Sequence, residues 1–266
     1  MQRGLNFFLL WILGFTVGYA AQPEPWQLNF QPAASPVMER IHSMHHILLV
    51  LMVVVAVIVF ALLFYVIYRF RAHRNPKPAR FSHNPKLEVI WTLIPTLMIL
   101  ALMVPSIRLL QFMERTETAD LVIKAIGRQW YWSYEYPDHK LSFDSYMIAD
   151  KDLKPEHVRL LSVDHPIVVP VGAKVRLMVT GGDVLHSFAV PALGVKQDAV
   201  PGRLRETWFQ ITKPGIYYGQ CSELCGVNHG FMPIEIRAVS QEEYQAWLKD
   251  AAKKFAAGPV TLVRNP

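Results

Sequence analysis

The chain has 266 residues, 52% of them hydrophobic and 18% charged, a length that suits two structural units and a composition that excludes a disordered chain. The net charge of +6 sits at the front: residues 1–110 carry +6, residues 111–240 carry −1 and residues 241–266 carry +1. No run of Lys and Arg interleaved with aromatics occurs in the large C-terminal part, so the basicity does not describe a nucleic-acid partner.

Residues 1–20 read as a secretory signal peptide: Arg3, an apolar stretch from Leu5 to Val17, then the small-residue end Gly18-Tyr19-Ala20-Ala21, with Ala20 or Ala21 the last residue removed. Residues 21–110 read as an N-terminal segment and two transmembrane helices, at about 45–68 and 88–109. Ile47 to Ile67 is 21 consecutive residues without a charge or an amide, enough to cross about 30 Å of hydrocarbon. Val89 to Ile107 is a second apolar stretch, interrupted by Pro95 and Pro105, and a kinked span is expected there. Between the spans lie Arg69, Arg71, Arg74, Lys77, Arg80 and Lys86 against Glu88 alone, a density of positive charge that marks the cytoplasmic side. Both ends of the hairpin then face outward, as the export signal also implies. Glu88, at the cytoplasmic mouth of the second span, reads either as a solvated carboxylate beside the interfacial Trp91 or as a proton-uptake group.

From residue 111 to 240 the pattern changes to short β-rich runs: Leu121 to Ile126, Trp130 to Tyr136, Ile167 to Val171, Lys174 to Thr180, Glu206 to Ile211 and Phe231 to Arg237. Such runs, broken by Pro, Gly and Asp, argue for a β-sandwich or Greek-key barrel. Residues 241–266 hold a short amphipathic helix and a tail, the helix opened by the capping pair Ser240 and Glu243.

The only cysteines, Cys221 and Cys225, lie on the exported side by this topology, where a disulfide is the default expectation. Against it, His229 and Met232 follow so closely that two thiols, an imidazole and a thioether fall within twelve residues. Thiolate, imidazole and thioether together suit copper better than structural zinc. His186, directly after a strand, is the candidate second imidazole. A mononuclear site needs one Cys, so the extra thiolate favours a copper pair bridged by both sulfurs.

The loop Cys221-Ser222-Glu223-Leu224-Cys225-Gly226, with Asn228, His229 and Met232, resembles the binuclear CuA loop of the cytochrome c oxidase subunit 2 family. Gly127 to Tyr136, Ser142 to Met147, Asp183 to Ser187, Lys196 to Arg203 and Glu88 to Thr92 resemble family blocks in the same order, over about residues 30 to 250. The resemblance implies an α+β membrane protein: a two-helix transmembrane hairpin followed by a cupredoxin-like Greek-key β-barrel or sandwich. It implies copper ligation by His186, Cys221, Cys225, His229, Met232 and the Glu223 carbonyl, with the Glu223 carboxylate binding Mg²⁺ at the interface with subunit 1. It makes Trp130 the electron-receiving residue, exposed near the copper pair, and it strengthens the proton-uptake reading of Glu88. Cytochrome c is basic, and Glu135, Asp144, Asp164 and Asp183 are its candidate docking acids.

The implied partners are subunit 1, subunit 3, cytochrome c and membrane lipid. The implied location is a bacterial plasma membrane with the copper domain in the periplasm, in preference to a mitochondrial inner membrane of the same topology. Oxygen reduction, coupled to proton translocation, would occur in subunit 1. The competing readings are a membrane-anchored copper carrier, a mononuclear cupredoxin and a quinol-oxidising relative that has lost the ligands. A fused haem c would need Cys-x-x-Cys-His, which the sequence lacks.

Overall fold

Helix α1 covers Pro36–Arg69 and helix α2 covers Pro85–Met113 in the computed structural model, which describes residues 19–115 and 118–255. At 1.5 Å per residue they are about 51 and 44 Å long, so their apolar middles can cross about 30 Å of hydrocarbon with turns to spare at both ends. Nothing in the apolar stretch of either helix is buried, a surface that hydrocarbon satisfies and water does not. Both helices outrun the spans read from hydropathy because hydropathy marks only the lipid-facing middle. α1 begins at Pro36, a residue whose missing N–H costs nothing in a first turn.

α2 is capped by Asn84, whose side chain accepts from the N–H groups of Lys86 and Leu87 at 3.2 and 3.3 Å, while the Glu88 carboxylate accepts from the Asn84 N–H at 3.2 Å. The helix is continuous through Pro95 and Pro105. The Thr92 and Thr96 hydroxyls donate to the Glu88 and Thr92 carbonyls at 2.8 and 2.7 Å on either side of the first proline. Within this hairpin the Arg40 guanidinium lies 3.4 Å from the centroid of the Phe112 ring, joining the start of α1 to the end of α2.

The β-rich unit, which takes in residues 19–35 as well as 118–255, is a sandwich of two sheets. One sheet has the order β4 (Leu141–Ser145), β3 (Tyr131–Tyr136), β2 (Leu121–Arg128), β6 (Lys174–Gly181) and β9 (Arg205–Gln210). The other has the order β5 (Ile167–Pro170), β11 (Pro233–Val239), β10 (Gly215–Cys221), β7 (His186–Val190) and β8 (Val195–Ala199), with β1 (Tyr19–Ala21) also pairing with β10. β2 runs parallel to β6 and β5 parallel to β11; the chain therefore crosses between the sheets repeatedly, as a Greek-key sandwich requires. Trp132, Tyr134, Phe188, Phe209, Leu177 and Ile236 are wholly buried between them.

β4, β7, β8 and β10 were not among the runs expected from sequence. β8 (Val-Lys-Gln-Asp-Ala) buries only its two ends and reads as a polar loop, and β7 is five residues long. The expected run Trp130 to Tyr136 forms β3 from Tyr131, and it is buried on more than one face: Trp132, Ser133, Tyr134 and Tyr136 are all buried. Tyr136 is covered by Trp247 of helix α3 (Gln241–Phe255), with ring centroids 5.4 Å apart.

The segment before α1, grouped with the helices in the sequence reading, is bound into the sandwich. The Ala34 N–H donates to Ala192 O at 2.9 Å, its carbonyl accepts from Thr212 N–H at 3.0 Å, and the Ser35 hydroxyl donates to Leu193 O at 2.7 Å. The expected signal peptide lies outside the described residues except for Tyr19 and Ala20, the first residues of β1.

Helix α3 opens with the expected capping pair: the Glu243 carboxylate accepts from the Ser240 N–H at 2.9 Å and the Ser240 hydroxyl accepts from the Glu243 N–H at 3.2 Å. The main-chain and hydroxyl donors of Ser240 hold the Glu243 carboxyl below its ordinary 4.5. A depressed carboxyl stabilises the fold above its ordinary value and loses that contribution as pH falls through the folded value. The first turn of α3 is therefore expected to fray only below about pH 4.5, read as amide shifts of residues 240–244, and Ser240→Ala, which keeps the main-chain donor and removes the hydroxyl, should weaken that acid step.

Candidate metal centre

Strand pairing brings three chain segments to one end of the sandwich. Parallel β2 and β6 end together at Gly127 and Gly181, where the Gly182 N–H donates to Gly127 O at 2.8 Å. The chain then crosses sheets through residues 182–185 and enters β7 at His186. β10 runs antiparallel to β7 with Cys221 opposite Phe188, and the Ser222 N–H donates to Ser187 O at 2.9 Å. His186 and Cys221 are thus neighbours by register, although 35 residues apart in sequence. The loop from Cys221 turns back into β11 and returns His229 and Met232 to the same spot.

The donor atoms converge. Cys221 Sγ is 3.9 Å from His186 Nδ1, 4.0 Å from Cys225 Sγ and 3.4 Å from the Glu223 carbonyl oxygen. Cys225 Sγ is 3.5 Å from both His229 Nδ1 and Met232 Sδ. The donor atoms of His186, Cys221 and Cys225 all lie within 4.8 Å of one another. Both cysteines are free, and their sulfurs are about twice a disulfide's bond length apart. The two thiol sulfurs face each other, each with its own imidazole, the Glu223 carbonyl on one flank and the Met232 thioether on the other. This soft donor set fits copper.

Burial raises the Cys221 thiol, but hydrogen bonding to His186 and to the main chain of Glu223 and Ser187 outweighs it and holds the thiol well below the ordinary range. Burial and the neighbouring Cys221 charge push Cys225 the other way, well above that range. Burial would lower His186, yet Cys221 and Asp183 keep it above its ordinary value. The Asp183 carboxylate accepts from the Gln129 N–H at 2.7 Å and the Val184 N–H at 2.6 Å and lies 2.8 Å from His186 Nε2. Burial raises its carboxyl, but these partners hold it below the ordinary value. It orients the imidazole so that Nδ1 faces the sulfurs, as outer carboxylates do for metal-binding histidines. Gly127 makes room for that ring: a Cβ there would fall 2.7 Å from His186 Cγ.

The other residues singled out from sequence are distributed as follows. Trp130 is half-buried, not exposed, because it packs against the core and its indole N–H donates to Cys225 O at 3.2 Å. Asp144 accepts from the Ser133 hydroxyl at 2.5 Å, and Asp164 accepts from the Tyr146 N–H at 2.8 Å. Tyr146, 45% exposed, stacks on Tyr131 at 4.5 Å, so these two acids border an aromatic face beginning one residue from Trp130. Glu135 pairs with Lys124 at 3.1 Å, which screens its charge, and Asp183 is turned toward His186. Glu88 belongs to the helical unit, where its carboxylate closes the α2 cap. The orienting role of Asp183 and the contacts of Gln129 were not read from sequence; the Asp-x-x-His spacing was the only signal available for the first.

Two outcomes are expected of the metal-free protein. Its thiolate absorbance should rise in two well-separated steps with pH, the lower one disappearing in Cys221→Ser. Gly127→Ala should destabilise the sandwich by about 1–3 kcal/mol through overpacking against His186, measured by thermal unfolding.

Residues 121–239 match the family described as cytochrome C oxidase subunit II, periplasmic domain, and residues 23–109 match the subunit II transmembrane domain. The probable cytochrome c oxidase subunit 2 of Rickettsia felis is 53% identical over 241 residues, 90% of this chain and 76% of that protein. Cytochrome c oxidase subunit 2 of Cereibacter sphaeroides is 44% identical over 248 residues, 86% of this chain and 82% of its own. The crystal structure of the periplasmic domain of subunit II of the Bradyrhizobium japonicum cytochrome oxidase superposes with a TM-score of 0.50 at 56% identity, covering 53% of this chain and all of that one. With a transmembrane hairpin and a periplasmic sandwich both matched, and the soft donors gathered where the sandwich strands end, the chain belongs to the cytochrome c oxidase subunit II family.

Proposed function

We propose that this subunit receives electrons from cytochrome c at a binuclear copper centre and delivers them to haem in subunit 1, where oxygen is reduced to water with proton translocation. The observation that carries this reading is the convergence of two thiols, two imidazoles, a thioether and one carbonyl at the end of the sandwich. Bound there, a copper pair supplies a one-electron carrier whose charge is shared across two sulfurs. The chain's own part is to hold the donors still: His186, Cys221, Cys225 and Met232 are buried and His229 half-buried, so most of the donor set sits in a packed core that resists rearrangement.

Trp130 supports a route inward, because its indole N–H reaches the carbonyl of a ligand residue directly. Tyr131, Tyr146, Asp144 and Asp164 form an aromatic face with acidic borders beside it, chemistry suited to a basic haem protein. Glu135 and Asp183 contribute less to that docking, since Lys124 and His186 already engage them. Leu224, Val227 and Phe231 on the ligand loop are 77%, 89% and 49% exposed, an apolar surface for subunit 1 to cover. The Glu223 side chain is exposed on the same loop, free to offer a hard carboxylate to Mg²⁺ while its carbonyl faces the sulfurs. Glu88 keeps its reading as a proton-uptake group in the assembled oxidase, with subunit 3 as a further partner. The basic turn after α1 supports a cytoplasmic location for that side, with the sandwich in the periplasm of a bacterial membrane. Residues 1–20 are read as the export signal that agrees with this orientation.

A copper carrier is the second reading, and burial of the ligands argues against it, because exchange demands accessible donors. The deciding measurement is copper stoichiometry with electron paramagnetic resonance on the full chain in detergent. Two coppers per chain sharing one unpaired electron, with the delocalised signal lost in Cys221→Ser, is the expected result. A single copper would leave a mononuclear cupredoxin, and a Cys221–Cys225 disulfide that persists after reduction and copper loading would overturn the reading altogether.

A further inference from the structure

Gln129 lies in the turn between β2 and β3, carries no ligand atom, and touches both ligand-bearing segments. Its backbone N–H donates to Asp183 Oδ2 at 2.7 Å, and the other oxygen of that carboxylate lies 2.8 Å from His186 Nε2. Its side-chain amide donates to the Cys225 carbonyl at 2.8 Å, where the Trp130 indole N–H joins it at 3.2 Å. The contact is tight from the opposite side as well. Gly226 has φ +118°, and a Cβ there would fall 3.1 Å from both Gln129 Nε2 and Trp130 Cζ2.

We infer that Gln129 is a positioning residue for the metal centre, fixing the distance between the His186 segment and the Cys225 loop through its two hydrogen bonds. The inference rests on the copper-centre reading above. Its physical basis is that the Cys225 sulfur follows its own backbone, and the Cys225 carbonyl is anchored by the side-chain donors of Gln129 and Trp130. The first bond is made by the main chain and survives substitution, so the side-chain amide is the separable half of the device. Without it the loop is free to settle toward shorter sulfur-to-sulfur separations than the present 4.0 Å.

The test compares the full chain in detergent with Gln129→Met, which keeps length but removes the donor, and Gln129→Asn, which keeps the amide on a stem too short to reach. Three readouts apply: copper retention against a chelator, the hyperfine pattern of the copper signal, and the rate at which oxidised glutathione closes the Cys221–Cys225 disulfide in the metal-free protein. Both variants should unfold near the wild-type temperature when metal-free, hold copper about 10- to 100-fold more weakly, as is usual when an outer contact of a metal site is lost, and show an altered hyperfine pattern. Disulfide closure should be several-fold faster, because the sulfurs must approach to about 2.05 Å and the anchored carbonyl resists it. Wild-type copper retention, spectrum and closure rate in both variants would overturn the inference, and so would loss of a cooperative unfolding transition in both, which would assign Gln129 a general structural role. Should the wild type itself not take two coppers, the functional reading fails separately, and the closure rate still decides the role of Gln129.

Discussion

The register between β7 and β10 is the constraint on which the rest depends. Cys221 stands opposite Phe188, and the Ser222 N–H to Ser187 carbonyl bond extends the ladder by one step. A one-residue slip would turn every side chain of β10 to the other face, taking Cys221 away from His186. The register is defended by burial on both strands: Phe188, Val190, Tyr217 and Cys221 all sit inside the sandwich, so slippage would expose core and bury polar groups together. The donor cluster thus takes its geometry from the packing of a hydrophobic core two residues away.

Around that fixed pair, electrostatics shares out the protons. Two thiols 4.0 Å apart in a buried setting do not ionise alike: hydrogen bonds from His186 and the main chain draw the charge to Cys221, whose field keeps Cys225 protonated. A metal held by both sulfurs would have to displace the Cys225 proton, which would couple its affinity to pH. Asp183 and Gln129 extend the network outward and join the ligand shell to the turn that presents Trp130. The carbonyl that Trp130 contacts belongs to Cys225, so the half-buried indole and the buried thiol pair share one hydrogen-bonded unit.

The two structural units meet opposite solvent conditions. The helices expose Leu, Val and Ile all round and satisfy their backbone internally, whereas the sandwich packs its apolar core inside and leaves most of its acids outside, with the buried Glu235 paired to Arg237. Capping matters at both boundaries: Asn84 with Glu88 opens α2 and Ser240 with Glu243 opens α3, each using a short polar side chain to satisfy first-turn N–H groups.

How much of this was legible in the sequence follows from the range of the forces involved. The spans, the basic turn, the Ser240 cap and the soft-ligand loop from Cys221 to Met232 are local, because hydropathy, charge and ligand chemistry are properties of a few adjacent residues. Runs such as Leu121 to Ile126 announced strands because β-branched residues cluster there; β7 and β8 stayed hidden because short or half-polar strands owe their existence to the neighbours they pair with, and β10 because Gly215, Gly219 and Gln220 interrupt its apolar residues. The membership of Ala34 and Ser35 in the sandwich, the half-burial of Trp130, and the turning of Asp183 from the surface toward His186 were decided only in three dimensions. The first two depend on hydrogen bonds spanning tens of residues, and Asp183, only three residues from His186, is also held by the Gln129 N–H 54 residues away; no periodicity in one chain records which distant group will be there to receive it.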